Sequence, residues 1–458
     1  MRWSLLLFAV MLPGTAAAEM PDVAQSNWRY DEDWTGLRAL PKSGDDPWWR
    51  VAKYQPLHAD GSGYASFGLE LRARYEGFRG NLWGGGDAPD DSYLWLRAIP
   101  HMDVHAGPLR AFVQPILAMA RGVGAGDGPA DATGIDMLQA FADLDLPLGE
   151  NAHITVRGGR AFIPLGSERL VGTRYGPNVP QAFDGVRLSL RYQGVQADLI
   201  GVKPVAPGPD DFDDRTSSTK RLRGVYATVP VADGLAVDAY WLDYRNEAAR
   251  FVQAVANEKR RTYGVRIFGA RGRWAWNWEA MLQRGHFGSA RIRAWSLATE
   301  TAYRFEDAPF APRMRLRANI ASGDDNPTDN SLGTFNPMFP KGKYFGELSP
   351  IGPYNIANIH PSIDFDLSGG VSFDLAGVAY WRASRRDGVY EVPGQLLRTG
   401  AANARFIGAQ TEAVLGWQVS SVFSVGLSAS LFLPGGFIRE TGRARTIGMV
   451  GFETMMRF

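Results

Sequence analysis

The 458-residue chain contains no cysteine. A chain without thiols forms no disulfide, which suits a route through an oxidising compartment. Beyond the N-terminus no segment offers the roughly 20 apolar residues that a membrane-spanning helix needs. An excess of one charge is missing too: 49 Lys and Arg against 48 Asp and Glu leave a net charge of +1. Any preference for an anion therefore requires arginines segregated onto one surface, because bulk charge cannot supply it. Catalytic signatures are also absent, with no nucleophile elbow, no P-loop and no dinucleotide fingerprint. The six histidines, His58, His101, His105, His153, His286 and His360, lack zinc-ligand spacing. Pro100 and Pro108 argue against the helix that would bring His101 and His105 onto one face. No catalytic residue, metal, cofactor or nucleic-acid partner is expected.

What is present points to strands. Hydrophobic residues make up 45% and aromatics 12%, with 53 Gly, 14 Trp, 16 Tyr and 24 Phe, and the mean hydropathy is -0.20. This suits an all-β chain with tight turns and aromatic girdles. Met1-Arg2, the apolar run Leu5 to Leu12 and Ala16-Ala17-Ala18 read as a signal peptide over residues 1–18, so the chain is expected to be exported. Residues 19–60, with Trp28, Trp34, Trp48 and Trp49, read as an irregular lead-in or a plug segment, and a disordered N-terminus fits them as well.

From residue 61 to the end, apolar and polar residues alternate. Phe67, Leu69, Leu71, Ala73 and Tyr75 oppose Gly68, Glu70, Arg72, Arg74 and Glu76. Trp274, Trp276, Trp278, Ala280 and Leu282 oppose Ala275, Asn277, Glu279, Met281 and Gln283. Met314, Leu316, Ala318 and Ile320 oppose Arg313, Arg315, Arg317 and Asn319. Segments of about ten alternating residues are the signature of a transmembrane barrel, apolar to lipid and polar to lumen. Strands of a soluble sandwich run to about five or six residues. A packed core also rejects the charges seen on the second face, whereas a water-filled lumen tolerates them. The fold expected is therefore an all-β, transmembrane antiparallel β-barrel over residues 61–458. Two long connections, Phe162 to Phe183 and Ser322 to Pro361, are expected to constrict or cap the pore, and Pro204 to Lys220 forms a shorter acidic loop. The last stretch, Thr446 to Phe458, alternates and ends on an aromatic residue. It resembles the closing strand of a bacterial outer-membrane barrel, in which the terminal aromatic strand signals assembly; an ordinary half-buried strand fits this segment equally well when taken alone.

Three sets of residues carry a wider resemblance. The first is Arg157-Gly158-Gly159-Arg160, Leu165 to Leu170, Gly176-Pro177-Asn178-Val179 and Phe183-Asp184-Gly185-Val186-Arg187. The second is Phe212-Asp213-Asp214-Arg215 with Gly224 to Thr228. The third is Ala321 to Asp324, Leu332 to Pro337, Phe339-Pro340-Lys341-Gly342, Tyr344-Phe345-Gly346 and His360-Pro361-Ser362. With these the chain resembles the alginate-export family of outer-membrane porins from about residue 60 onward, and within it the poorly characterised members rather than the alginate exporter itself. The resemblance implies a monomeric barrel of 18 antiparallel strands in the bacterial outer membrane, with an arginine-rich constriction that conducts a uronate polymer.

The arginines carry the functional expectation. Arg157, Arg160, Arg169, Arg174, Arg187 and Arg191 cluster around one strand pair and its loop, and Arg313, Arg315 and Arg317 form a ladder on a later strand. Guanidinium groups bind carboxylates bidentately, and rings of them select anions in a pore. These nine are the candidate pore-lining residues. The alternative is that they pair with wall carboxylates such as Glu70, Glu76, Glu279 and Glu300. The acidic run Asp324 to Asn330 offers oxygens to calcium but lacks EF-hand spacing, so a solvated turn is the simpler reading. Trp274-Trp276-Trp278, Tyr240-Trp241-Tyr244 and Tyr380-Trp381 read as interface girdles. The expected partners are an anionic saccharide or organic-acid solute, outer-membrane lipid, and the assembly machinery during biogenesis. The rival readings are a porin for other solutes such as small aromatic acids, a barrel enzyme, and a barrel plugged by its own loops.

Overall fold

The computed structural model describes Val23 and residues 26–458 apart from Pro41, Ser43, Asp45 and Ala401. The segment read as a signal peptide lies outside the described residues. Eighteen long strands form one antiparallel wall. In chain order they are β1 Gly63–Arg79, β2 Asp91–Ala106, β3 Leu109–Arg121, β4 Gly134–Pro147, β5 Ala152–Ala161 and β6 Phe183–Tyr192. Next come β7 Val195–Ala206, β8 Lys220–Ala232, β9 Leu235–Arg250, β10 Val255–Arg271, β11 Trp274–Phe287 and β12 Ala290–Arg304. The last six are β13 Arg313–Ala321, β14 Ile356–Asp366, β15 Val371–Arg382, β16 Phe406–Gln418, β17 Phe423–Pro434 and β18 Ile447–Arg457. Each strand pairs with the next, and β18 pairs back onto β1 from Glu70↔Arg457 to Arg79↔Gly448. The sheet therefore has no free edge, as hydrocarbon demands of any strand that crosses it.

Burial is inverted relative to a soluble protein. Val265, Leu282, Leu316 and Val450 stand about half exposed on the outer face. Glu70, Arg72, Arg74 and Glu76 on the inner face of β1 are buried. Trp274 and Trp278 face outward as the girdle reading expects. Tyr240, Tyr244 and Tyr380 do not: they are buried, with Tyr240 stacked on Tyr226 at 5.1 Å and its hydroxyl donating to Glu279 at 2.6 Å. Only Trp241 and Trp381 of those two clusters fall on the lipid-facing parity, because adjacent residues of a strand point to opposite faces.

The connections divide by side. Gly107-Pro108, Gln193-Gly194, Asp233-Gly234 and Gly272-Arg273 are two-residue turns at one end, which also carries both termini of the barrel. Residues 122–133, 162–182, 207–219, 322–355 and 383–405 link strands at the other end. Short turns face the periplasm and long loops the exterior in such barrels, so the long loops lie on the extracellular side. The last long connection but one ends sooner than the sequence suggests: β14 starts at Ile356, and Pro361 lies within it. Proline cannot donate to a ladder, and the pairing of β14 with β15 steps from Ile359↔Ala379 to Ser362↔Ala376, past Pro361. The acidic loop is likewise shorter, because β7 runs through Pro204 to Ala206 and Lys220 opens β8.

The described residues between 26 and 58 pack into the periplasmic mouth. The Tyr30 ring meets Phe112 and Phe141 edge-on at 5.9 and 5.6 Å, and Arg157 lies over it at 4.6 Å. Arg29 donates to the Phe458 carbonyl at 2.6 Å, and Trp48 sits against the Phe458 ring at 4.7 Å.

The lipid-facing assignment has a direct test. Val265→Arg, placed midway along β10 on the outer face, is expected to lower folding stability in lipid vesicles by about 2–4 kcal/mol. Asn319→Arg on the inner face should cost far less. Urea titration of vesicle-folded protein reads both.

Candidate functional site

Two long loops turn into the lumen and bind each other there. The Gly172 N–H donates to the Phe339 carbonyl at 2.8 Å, Phe339 N–H to Leu170 O at 2.9 Å, and Lys341 N–H to Glu168 O at 3.0 Å. Val171 and Phe339 thus form a parallel bridge between the 162–182 loop and the 322–355 loop. Four non-glycine residues at this junction, Glu168, Arg174, Met338 and Lys343, have φ between +49° and +62°. Each such left-handed residue costs on the order of 1–3 kcal/mol and persists only where its surroundings hold it.

The barrel wall supplies that hold. Arg72 donates to the carbonyls of Gly176 and Pro177 at 3.0 and 2.9 Å. Arg97 donates to Pro177 O at 3.1 Å and pairs with Glu70 at 2.6 Å. The fully buried Asn178 amide donates to Asp131 O at 2.8 Å and Met119 O at 3.1 Å. Across the lumen, Asn336 N–H donates to Gln283 at 3.0 Å, and Arg260 reaches Thr334 O at 3.2 Å while paired with the buried Glu258. Lys343 bridges Glu76 at 3.1 Å and Glu347 at 2.7 Å, and Arg74 also binds Glu347. Arginines hydrogen-bonded to loop carbonyls, with Asn178, Gln283 and Lys343, thus hold the two loops in the lumen.

The nine candidate arginines do not form one ring. Arg157, Arg187 and Arg191, joined by Arg110, line a cavity of about 640 Å³ on the periplasmic side, bordered by Asp31 and Tyr30 of the N-terminal segment. There Arg157 pairs with Asp143 at 2.8 Å and Arg187 with Asp198 at 2.9 Å, while Arg191 donates to the Gln196 amide oxygen at 3.4 Å. Arg169 sits at the loop junction and pairs with Glu279 at 2.9 Å. The ladder holds: Arg317 pairs with Glu300 at 3.0 Å, and Arg313 and Arg315 share Asp364 at 3.1 Å each. Arg174 donates weakly to Pro340 O at 3.4 Å and borders a cavity of about 340 Å³ on the extracellular side with Lys220, Tyr244 and Tyr354. Arg160 stands apart. It lies opposite Asp184 in the register, on the parity of the exposed Val186, and pairs with Asp184 at 2.8 Å on the outer side of the wall. An interval of three residues separates it from Arg157, and an odd interval in a strand reverses the face.

Among the described residues, Arg174 and Lys341 have no carboxylate within 4 Å. Lys341 lies among Arg169, Arg317 and Glu300, and burial together with those two guanidinium groups lowers its ammonium to about 8. Lys341 stands in the quoted Phe339-to-Gly342 run, yet only the folded loop reveals its setting. Arg72 and Arg97 also escaped the sequence reading as site residues, although Arg72 lies on the lumen parity of β1. In the acidic run, Asp329 accepts from Ser331 N–H at 2.8 Å within its own turn, while Asp324 accepts from Gly333 N–H at 3.0 Å and from the Gln253 amide at 2.7 Å.

Removal of Arg97 tests how the constriction is held. Arg97→Ala is expected to weaken the anchorage of the 162–182 loop by about 3–5 kcal/mol, the usual cost of breaking a buried pair. Single-channel conductance should rise, and limited trypsin treatment should cut at Arg169 or Arg174, which the native fold protects.

A family model described as alginate export matches residues 63–450. Among solved structures, OccK1 (OpdK) of Pseudomonas aeruginosa superposes with a TM-score of 0.58 at 11% identity, over 86% of this chain and 98% of that one. OpdO of the same organism gives 0.57 at 13% identity, over 86% and 97%. OpdK of that organism, solved with vanillate, gives 0.57 at 10% identity, over 86% and 98%. Likeness at such identities is one of fold. No curated protein matches the chain.

Proposed function

Since this chain belongs to the alginate export family and closes as an outer-membrane barrel with the porin fold, we propose that it is a passive channel for anionic carbohydrates, uronate oligomers or polymer above all. The observation that carries this reading is where uncompensated positive charge sits. Most lumen-facing wall arginines are neutralised by a carboxylate partner, whereas Arg174 and Lys341 project from the two paired loops without one. A solute carboxylate passing the junction exchanges some hydration for these cations and for the paired arginines beside them, which lowers its barrier relative to a cation. Weak, successive contacts also let the solute leave. The arginines of the periplasmic cavity, Arg157, Arg187 and Arg191, extend the same path.

A porin for small aromatic acids is the second reading. It is favoured by the fold shared with OpdK, a barrel solved with vanillate, and by the stacked Tyr226 and Tyr240 rings inside the wall. A barrel enzyme lacks any supporting constellation in the sequence.

Reversal potentials across planar bilayers decide between them. The wild type is expected to prefer chloride to potassium, and Arg174→Ala with Lys341→Ala should reduce that ratio by roughly threefold or more. Oligouronates should block the wild type more strongly than vanillate does; the opposite order supports the aromatic-acid reading, and an unchanged ratio removes these two residues from the path. The pH dependence has a set sign. Lys341 is cationic below about 8 and neutral above it, so anion preference should fall between pH 7 and 9, and Lys341→Arg should abolish that fall.

A further inference from the structure

The outer face of β8 to β12 carries a second concentration of charge, unrelated to the lumen. Cross-strand register aligns Arg223, Asp243, Arg261, Arg284 and Arg293 in one row, all on the lipid-facing parity. A second row, one step nearer the loops, holds Arg221, Arg245, Lys259, His286 and Arg291. The next row toward the membrane is Val225, Trp241, Tyr263, Leu282 and Trp295, where the apolar belt begins. Neighbouring strands lie about 4.8 Å apart, so each row runs for about 19 Å along the wall.

Eight permanent cations thus face one carboxylate. Asp243 is shared by Arg223 at 2.9 Å, Arg245 at 3.7 Å and Arg261 at 3.8 Å. Arg284, Arg291, Arg293 and Lys259 have no carboxylate within 4 Å among the described residues, and all four are exposed. Arg223 and Arg261 remain more than 60% exposed despite their partner. The concentration does not run round the whole wall. On the far wall, the outward positions nearest the loops are Ala357 and Ile359 on β14, Trp381 on β15, Phe406 on β16 and Leu433 on β17, none of them charged. Two hollows meet at this sector. A cationic one of about 480 Å³ is lined by Arg245, Arg261, Arg284 and Arg293, and an apolar one of about 820 Å³ by Trp241, Val265, Leu282 and Leu297. Tyr263 lines both.

The geometry points to a binding site for a phosphorylated, acylated lipid of the extracellular leaflet, its acyl chains in the apolar hollow and its head-group phosphates on the two cationic rows. The charge complementarity requires an anion, and continuity with the lipid-facing belt requires that the anion carry hydrocarbon. Guanidinium groups suit phosphate through bidentate hydrogen bonds, and clustered arginine at a membrane surface binds anionic head groups. The long loops place this rim on the exterior side of the outer membrane.

The test uses the whole purified barrel in detergent, with lipid A as a bisphosphorylated probe, its dephosphorylated form and phosphatidylethanolamine as comparators, and native mass spectrometry as readout. The wild type is expected to retain lipid A and release both comparators. The exposed triple variant Arg261→Gln, Arg284→Gln and Arg293→Gln should retain lipid A about tenfold less, with its reversal potential unchanged. Equal retention by wild type and variant overturns the site, as does equal retention of the dephosphorylated lipid. Displacement of lipid A by an equimolar amount of inorganic pyrophosphate overturns the lipid assignment in favour of a free-phosphate site. The unchanged reversal potential confirms that the variant folds and separates this outcome from any failure of the channel reading.

Discussion

A peptide group in hydrocarbon finds no water, and each unsatisfied N–H or C=O costs several kcal/mol. The seam between β1 and β18 is what makes this chain tolerable to a membrane. Ten residue pairs from Glu70↔Arg457 to Arg79↔Gly448 remove the last two edges. The remaining architecture follows from that closure. A closed wall has an inside and an outside, so alternating side chains must divide between lipid and lumen. Apolar residues take the lipid face, and charges from 18 strands crowd into one enclosed space.

That crowding determines the chemistry of the lumen. Buried charges persist when partnered and hydrogen-bonded, and one left alone is expensive. Glu70 binds Arg97, Arg457 and the Tyr175 hydroxyl at 2.6 Å each. Wall charge is thereby largely cancelled pair by pair, which fits a net charge of +1 over the whole chain. Some of the wall arginines also serve as anchors: Arg72, Arg97 and Arg260 spend further donors on loop carbonyls. The loops they anchor carry Arg174 and Lys341, so the wall supplies rigidity and the loops supply the residual field.

Much of the barrel was legible because alternation is a local property. The apolar parity of β1, β11 and β13 is plain in the residues, and the Arg313, Arg315 and Arg317 ladder faces inward because its spacing is even. Arg160 shows the same rule working against a cluster drawn by proximity alone: an odd interval from Arg157 put it outside. Tyr240, Tyr244 and Tyr380 were misplaced for the same reason, since aromatic density was read without parity. The strand number came from the family resemblance, because β5 to β6 and β13 to β14 are separated by loops that periodicity cannot see across. The constriction was not legible at all beyond the existence of its loops. The contact of Arg72 with Gly176 spans 104 positions, and the bridge of Val171 to Phe339 joins two loops with no shared pattern.

The docking of the N-terminal segment against Phe458 has a consequence in time. The N-terminal segment rests on Phe458 and its neighbour: Arg29 holds the Phe458 carbonyl, Asn27 accepts from Arg457 at 3.0 Å, and Trp48 covers the Phe458 ring. Tyr30, meanwhile, needs Phe112 and Phe141 already curved around it. The Phe458 surface does not exist until the final strand has been laid beside the first. The segment therefore finds its Phe458 seat only on a closed cylinder. Its seating on Phe458 is thus a readout of whether the wall has closed.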